Sequence, residues 1–368
     1  MNIIVGVAGI FLVLLTLRDV FVAAIVPRAA TPLLRPSAFA FYLFWKLWKR
    51  VANTQSDPDR RETILSTFGP FGVIAILALW VALLIIGYGF IFFALRTQLQ
   101  PHPISLWSAI YFAGTSFLTI GFGDIVGRSG ATRFVSLLAG ASGLGVVAVV
   151  TSYLFSIIGS FQAREAFVVT VGSRAGVPPS GVGLLILASE NEVLASLDAV
   201  LRDGQKWTAA LMETSLAYPV STYFRSSHDD ESWIATLGTL LDASSLLIAT
   251  VAGKRHGEAR FMSTIGVHAV KDLARYFSLN VVDGAGIERA EFVRALNQLQ
   301  QASFELHETE SAWQTFAHLR SSYAGALNAL ALHFEIPPVA WVSDRSMITT
   351  GHISAEISTE LRGPHRDS

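Results

Sequence analysis

The sequence predicts an all-α membrane protein. Two membrane-spanning helices flank a short re-entrant helix and loop, a further membrane helix precedes them, and a mainly α domain follows. Three observations predict this. Of 368 residues, 52% are hydrophobic and 15% charged, with a mean hydropathy of +0.48, outside the ordinary range of water-soluble domains. Residues 71–95 and 134–161 contain no charged side chain. The apolar excess is also one-sided. The first 161 residues hold 11 Lys/Arg and 5 Asp/Glu, whereas 162–368 hold 16 and 23.

The first element is the apolar run 3–26, interrupted by Arg18 and Asp19 toward one end. A charge at mid-membrane costs about 2.5–3.5 kcal/mol, and less near the interface. The segment 27–69 follows with seven Lys/Arg, while 97–127 has none. The positive-inside rule therefore places 27–69 in the cytoplasm and 97–127 outside. The N-terminus is then outside, the C-terminal half inside, and the protein is expected in the cell inner (plasma) membrane. Within the basic linker, 39-FAFYLFWKLWKR-50 is too short and too basic to span. It reads as a helix lying along the inner membrane surface or packed on its neighbours.

Either charge-free run, at about 1.5 Å per helical residue, exceeds the roughly 30 Å hydrocarbon thickness. Between them, Pro101 and Pro103 break the chain, and Ser105 is a good N-cap for a helix over 105–117. That helix is too short to span and too apolar for water, which suits a re-entrant segment. It leads into 119-TIGFGD-124. Non-helical backbone at membrane depth is tolerated only in protein or along a water-filled path. Glycines at alternate positions allow successive carbonyls to face one axis, where rings of oxygens from several chains can replace the water around a cation.

Those six residues resemble the potassium-channel signature T-[VI]-G-[YF]-G-D position by position. The order helix, short helix, loop, helix is similar to the two-helix pore module of that superfamily, over about 70–161. The resemblance implies a homotetramer in the lipid bilayer, with K⁺ as the permeant ion. It implies coordination by the carbonyls of Thr119, Ile120, Gly121 and Phe122 and by the Thr119 hydroxyl, with Gly123 completing the filter. Asp124 and Thr115 occupy filter-supporting positions. Gly143, twenty residues after Gly123, falls where the family has its hinge glycine; close helix packing is the other reading. Two residues depart from the pattern. Phe122 replaces the commoner tyrosine, and Thr115 stands where some bacterial members carry a glutamate paired with the aspartate. Asp124 is therefore expected to bond elsewhere.

Residues 162–359 read as a cytoplasmic regulatory domain. In 166–183 the glycines lack dinucleotide-fold spacing and Pro178-Pro179 would stop the helix, so a linker is expected. Helices follow over 182–201, ending at the turn 203-DG-204, then over 207–217, 233–251, 262–277, 288–301 and 311–333. The 233–251 helix is apolar but carries Asp242, as a core helix would. The tail 360–368 reads as disordered.

The chain has no cysteine, which removes disulfides, thiolate metal sites and cysteine nucleophiles. The charge balance does not suit nucleic acid. No nucleophile–base grouping or phosphate loop stands out, so neither enzyme activity nor a cofactor is expected. The acidic 228-HDDE-231 reads as a helix start rather than a metal site. His307 and His318 are expected on one helix face, too far apart to share an ion. Voltage sensing is not expected, since no helix repeats Arg at every third position. The gating signal is unassigned. A weakly selective cation pore and a membrane-anchored sensor with an inactive pore stay open as alternatives.

Overall fold

The computed structural model describes residues 2–24, 26, 35–176, 178–226, 231–252, 256–282 and 287–336. They form two compact units. The first comprises residues 1–160 and 217–224, the second residues 161–216 and those from 225 onward. The fold is all-α, with a single two-residue strand pair among the described residues.

In the first unit, α1 (Asn2–Ala24) packs along α3 (Pro58–Ala94). The two backbones meet at Gly9 and Gly87, where a Cβ on Gly9 would lie 2.6 Å from the Gly87 carbonyl oxygen. Small residues permit such approaches between helices in lipid. The acidic member of the charge pair at 18–19 finds its explanation between these helices and α2 (Pro36–Ala52). Asp19 is fully buried. Its carboxylate accepts from the Ser37 backbone N–H at 2.8 Å, the Ser37 hydroxyl at 2.9 Å and Trp80 Nε1 at 3.1 Å. The Arg35 guanidinium lies 3.5 Å away. Arg35, the residue before α2, supplies no side-chain cap of its own, so a carboxylate from α1 caps α2. A buried charge is tolerated when paired and hydrogen-bonded in this way.

α3 begins thirteen residues before the charge-free run. Pro58 opens it and Asp57 caps it, accepting from the Asp59 N–H at 3.1 Å. The charged first turns hid this start, and Pro70 lies inside the helix. Leu65 and Phe68 of these early turns are buried against Trp45 of α2, and tertiary packing extends the helix past its proline.

β1 (Leu99–Gln100) pairs antiparallel with β2 (Val126–Gly127), closing the ends of the connection around α4 (Leu106–Phe117). Ser105 caps α4. α5 spans Gly130–Ala175, well past the 161 expected. Residues 166–175, expected in a linker, are therefore helical; the glycines and prolines that signalled a break act only after Ala175.

Among the described residues, the second unit holds the end of α5 and seven further helices: α6 (Gly181–Glu190), α7 (Leu197–Ala217), α8 (Trp233–Thr250), α9 (Gly257–Tyr276), α10 (Arg289–Gln301), α11 (Thr309–Ser321) and α12 (Ala324–Phe334). α8 is its axis. Every residue of α8 except Ile248 is buried, and α6, α9, α11 and α12 pack on it. Among the described residues, four helices, α8 among them, are long and apolar enough to cross a membrane. α8 owes that composition to burial in protein.

Three local expectations are corrected here. Asp203 and Gly204 lie inside α7 rather than in a turn, because Val200, Leu201, Trp207 and Leu211 keep one buried face through them. The stretch 311–333 is two helices. The chain leaves helical geometry at Tyr323, whose hydroxyl donates to Asp242 at 2.5 Å. His307 precedes α11 and its N–H donates to the Thr250 carbonyl at 2.7 Å, so it shares no helix with His318. The acidic stretch 228–231 lies outside the described residues except for Glu231, and the tail 360–368 lies outside them entirely.

Candidate functional site: the loop after α4

The loop begins where α4 ends. Thr119 has φ +57°, Gly121 +60° and Gly123 +82°, whereas Ile120 and Phe122 keep negative φ. The sign of φ thus alternates along the loop. The Ile120 and Gly121 N–H groups donate to the Thr115 carbonyl at 2.8 and 3.3 Å. Among the described residues, nothing donates to the carbonyl oxygens of Thr119, Ile120, Gly121, Phe122 or Gly123. A β-branched residue in the left-handed region is strained, by on the order of 1–3 kcal/mol, so Thr119 holds this conformation against its own preference.

The sequence-expected residues come together on this loop, with altered roles for some. Thr115 acts through its backbone; its hydroxyl donates to the Phe112 carbonyl at 3.0 Å and so is turned away from Asp124. Asp124 lies beside the Tyr111 hydroxyl on α4. The Tyr111 ring also lies parallel to the Phe122 ring, centroids 6.5 Å apart. Tyr111 thus neighbours both the aromatic and the carboxylate of the loop. Sequence reasoning missed it, although an aromatic one helical turn before Thr115 was the available signal.

α5 braces the loop from the other flank. A Cβ on Gly143 would overlap the Phe117 carbonyl oxygen at the end of α4. One residue earlier, Ser142 Oγ lies 2.6 Å from the Tyr88 hydroxyl of α3, which also donates to the Leu138 carbonyl at 3.3 Å. Residues 138–143 are therefore fastened to both α3 and α4. An open recess of about 530 Å³ lies against the loop, lined by Thr115, Ser116, Thr119, Gly121 and Ser136 among others. Ile120 and Phe122 are 51% and 67% exposed in the single chain.

Residues 79–160, which hold the C-terminal part of α3, α4, the loop and most of α5, match the family described as "Ion channel". The match supports an ion channel. The chain is also 24% identical over 205 residues to the "Uncharacterized membrane protein YdjJ" of Bacillus subtilis (strain 168), an overlap covering 54% of this chain and 58% of that relative. No solved structure matches. The ion-channel match and the apolar helices together describe a multi-pass membrane protein, all-α, with its ion-channel segment centred on the loop.

Proposed function

We propose that this protein is a potassium-selective channel subunit, four copies of which surround one conduction path. The observation that carries the reading is the run of five carbonyl oxygens, 119–123, that accept no hydrogen bond among the described residues, on a backbone whose φ alternates in sign. At membrane depth such groups need a partner, and a dehydrated cation ringed by equivalent strands supplies one. Thr119, Ile120, Gly121, Phe122 and Gly123 line the filter, with the Thr119 hydroxyl at its inner end. Asp124 supports it through Tyr111, and Thr115 through its carbonyl. Gly143 seats α5 on α4. Conduction is passive and needs no cofactor or catalytic side chain.

The apolar face of α5 fits the same assembly. Leu137, Leu144, Val147 and Phe155 are all more than 60% exposed in the single chain, a surface for neighbouring copies and the path wall. The membrane is the plasma membrane, with the N-terminus and the α4 loop outside, and α2 and the second unit in the cytoplasm. Gating acts through that unit.

The test is the reversal potential of the purified protein in a planar bilayer, with K⁺ on one side and Na⁺ on the other. A value close to the K⁺ equilibrium potential is expected. Clear unitary events reversing near zero would replace this reading with a weakly selective cation pore. No K⁺ efflux from loaded proteoliposomes across about pH 5 to 8, the range histidines titrate, would favour a membrane-anchored sensor.

A further inference from the structure

The segment between α7 and α8, residues 217–224, folds with the first unit. It is short, its 3₁₀ turn spanning only Pro219–Tyr223, but its side chains sit among α2, α3 and α5 of the first unit. Val220 is buried in one core with Val73, Ile76 and Trp80 of α3 and with Tyr153 and Ile157 of α5. The Tyr218 ring meets the Tyr153 ring edge-on at 5.6 Å. Tyr223 forms the centre of a second aromatic group, 4.9 Å from Phe41, 5.0 Å from Trp45 and 5.5 Å from Phe68. Beside it, a Cβ on Gly69 would lie 2.9 Å from the Phe224 ring, so α3 has been fitted to this segment.

We propose that residues 217–224 are a wedge that couples α7 to α5, and so set whether the conduction path is open; the proposal rests on the channel reading. α5 is fastened at 138–143, through Tyr88 and the Phe117 carbonyl. The wedge grips it again at 153–157. Between the two grips lies Gly145, around which nothing approaches within 4 Å of a would-be Cβ. α5 cannot swing away from α3 at Tyr153 without dislodging Val220 and Tyr218. Packed cores of this kind switch between discrete arrangements rather than deform smoothly. The chain runs directly from α7, which ends at Ala217, into the wedge, so a displacement of α7 pulls on it.

The absence of cysteine makes a direct test possible in the full chain. With Tyr153→Cys and Tyr218→Cys introduced together, the two thiols are joined by a short cleavable cross-linker in reconstituted protein. Joining them is expected to change open probability by about fivefold or more, the size of an ordinary coupling. Cleavage should restore it, with unitary current and reversal potential unaltered. Open probability that is the same before and after joining would overturn the wedge. A second measurement requires no current: in Tyr223→Ala, amide exchange along residues 145–157 should accelerate by about twofold to tenfold, whereas Tyr223→Phe should match the parent. Unchanged exchange in Tyr223→Ala would overturn the proposal as well. A parent protein that carries no ion flux would sink the channel reading instead, and the exchange result would still report on the wedge.

Discussion

Gly121 on the loop and Gly143 on α5 are both glycines for reasons that a substitution can separate. At Gly121 a Cβ would meet nothing within 4 Å, yet φ is +60°. Alanine there is strained by roughly 1–2 kcal/mol without any collision. Gly121→Ala is therefore expected to keep the helical circular dichroism of the parent and lose K⁺-selective flux. At Gly143 the backbone is ordinary helix and the obstacle is the Phe117 carbonyl. Gly143→Ala should force α5 off α4 at a cost of about 1–3 kcal/mol and lower the midpoint of thermal unfolding in detergent. Gly145→Ala, two residues on with open space around it, should leave that midpoint unchanged or raise it. A matched fall in both variants would show that helix bending, and not the Phe117 contact, explains Gly143. Asp19 is a third residue whose role is local. Asp19→Ala leaves Ser37, Trp80 and Arg35 facing an empty site and should destabilise by on the order of 3 kcal/mol. Asp19→Asn, which keeps an acceptor, should cost less in the same unfolding assay.

Among the elements, those written in short-range pattern were legible in the sequence, and those set by distant partners were not. The span of α4, its Ser105 cap and the glycine alternation of the loop all follow from neighbours a few residues apart. The split between α11 and α12 does not. It occurs because Tyr323 must leave the helix to reach Asp242, eighty-one residues away. The early start of α3 was hidden in the same way, since Leu65 and Phe68 look unremarkable until Trp45 covers them. α8 was legible as a core helix because Asp242 argued against lipid on its face. That carboxyl is pushed up to about 6 from 3.8 by burial, against the downward pull of Arg320 at 3.4 Å and of the Tyr323 hydroxyl. A carboxyl raised on folding binds its proton more tightly in the folded state. Its stabilising contribution is therefore full below about pH 3.8 and is lost as pH rises through about 6. The amides of α8 should be better protected at pH 5 than at pH 7, once intrinsic exchange rates are corrected for. In Asp242→Asn that difference should disappear; its persistence would assign the pH dependence to another group.

At the scale of the whole molecule, the composition of the two halves was enough to separate a membrane part from a polar one. It could not disclose that residues 217–224 return to the first unit, because the apolar character of Val220 and Tyr223 is equally at home in any helical core. The charge asymmetry behind the proposed orientation can be examined with the same cysteine-free chain. Ile104, 97% exposed, lies in the connection proposed to be outside, and Arg60, with its side chain 78% exposed, in the part proposed to be inside. A membrane-impermeant maleimide should label Ile104→Cys in intact cells and Arg60→Cys only after permeabilisation. The reverse pattern would invert the topology while leaving the filter geometry untouched.

The cap that Asp19 provides for α2 also bears on how the chain is made. Translation delivers α1 first, so the carboxylate leaves the ribosome eighteen residues ahead of Ser37 in the first turn of α2. Ser37 can be satisfied at once, and Trp80 joins some forty residues later. The order of synthesis thus matches the order in which the three donors arrive. A chain begun after residue 26 would leave the opening turn of α2 bare, and α1 supplied as a separate peptide should restore the yield of folded protein that such a truncation loses.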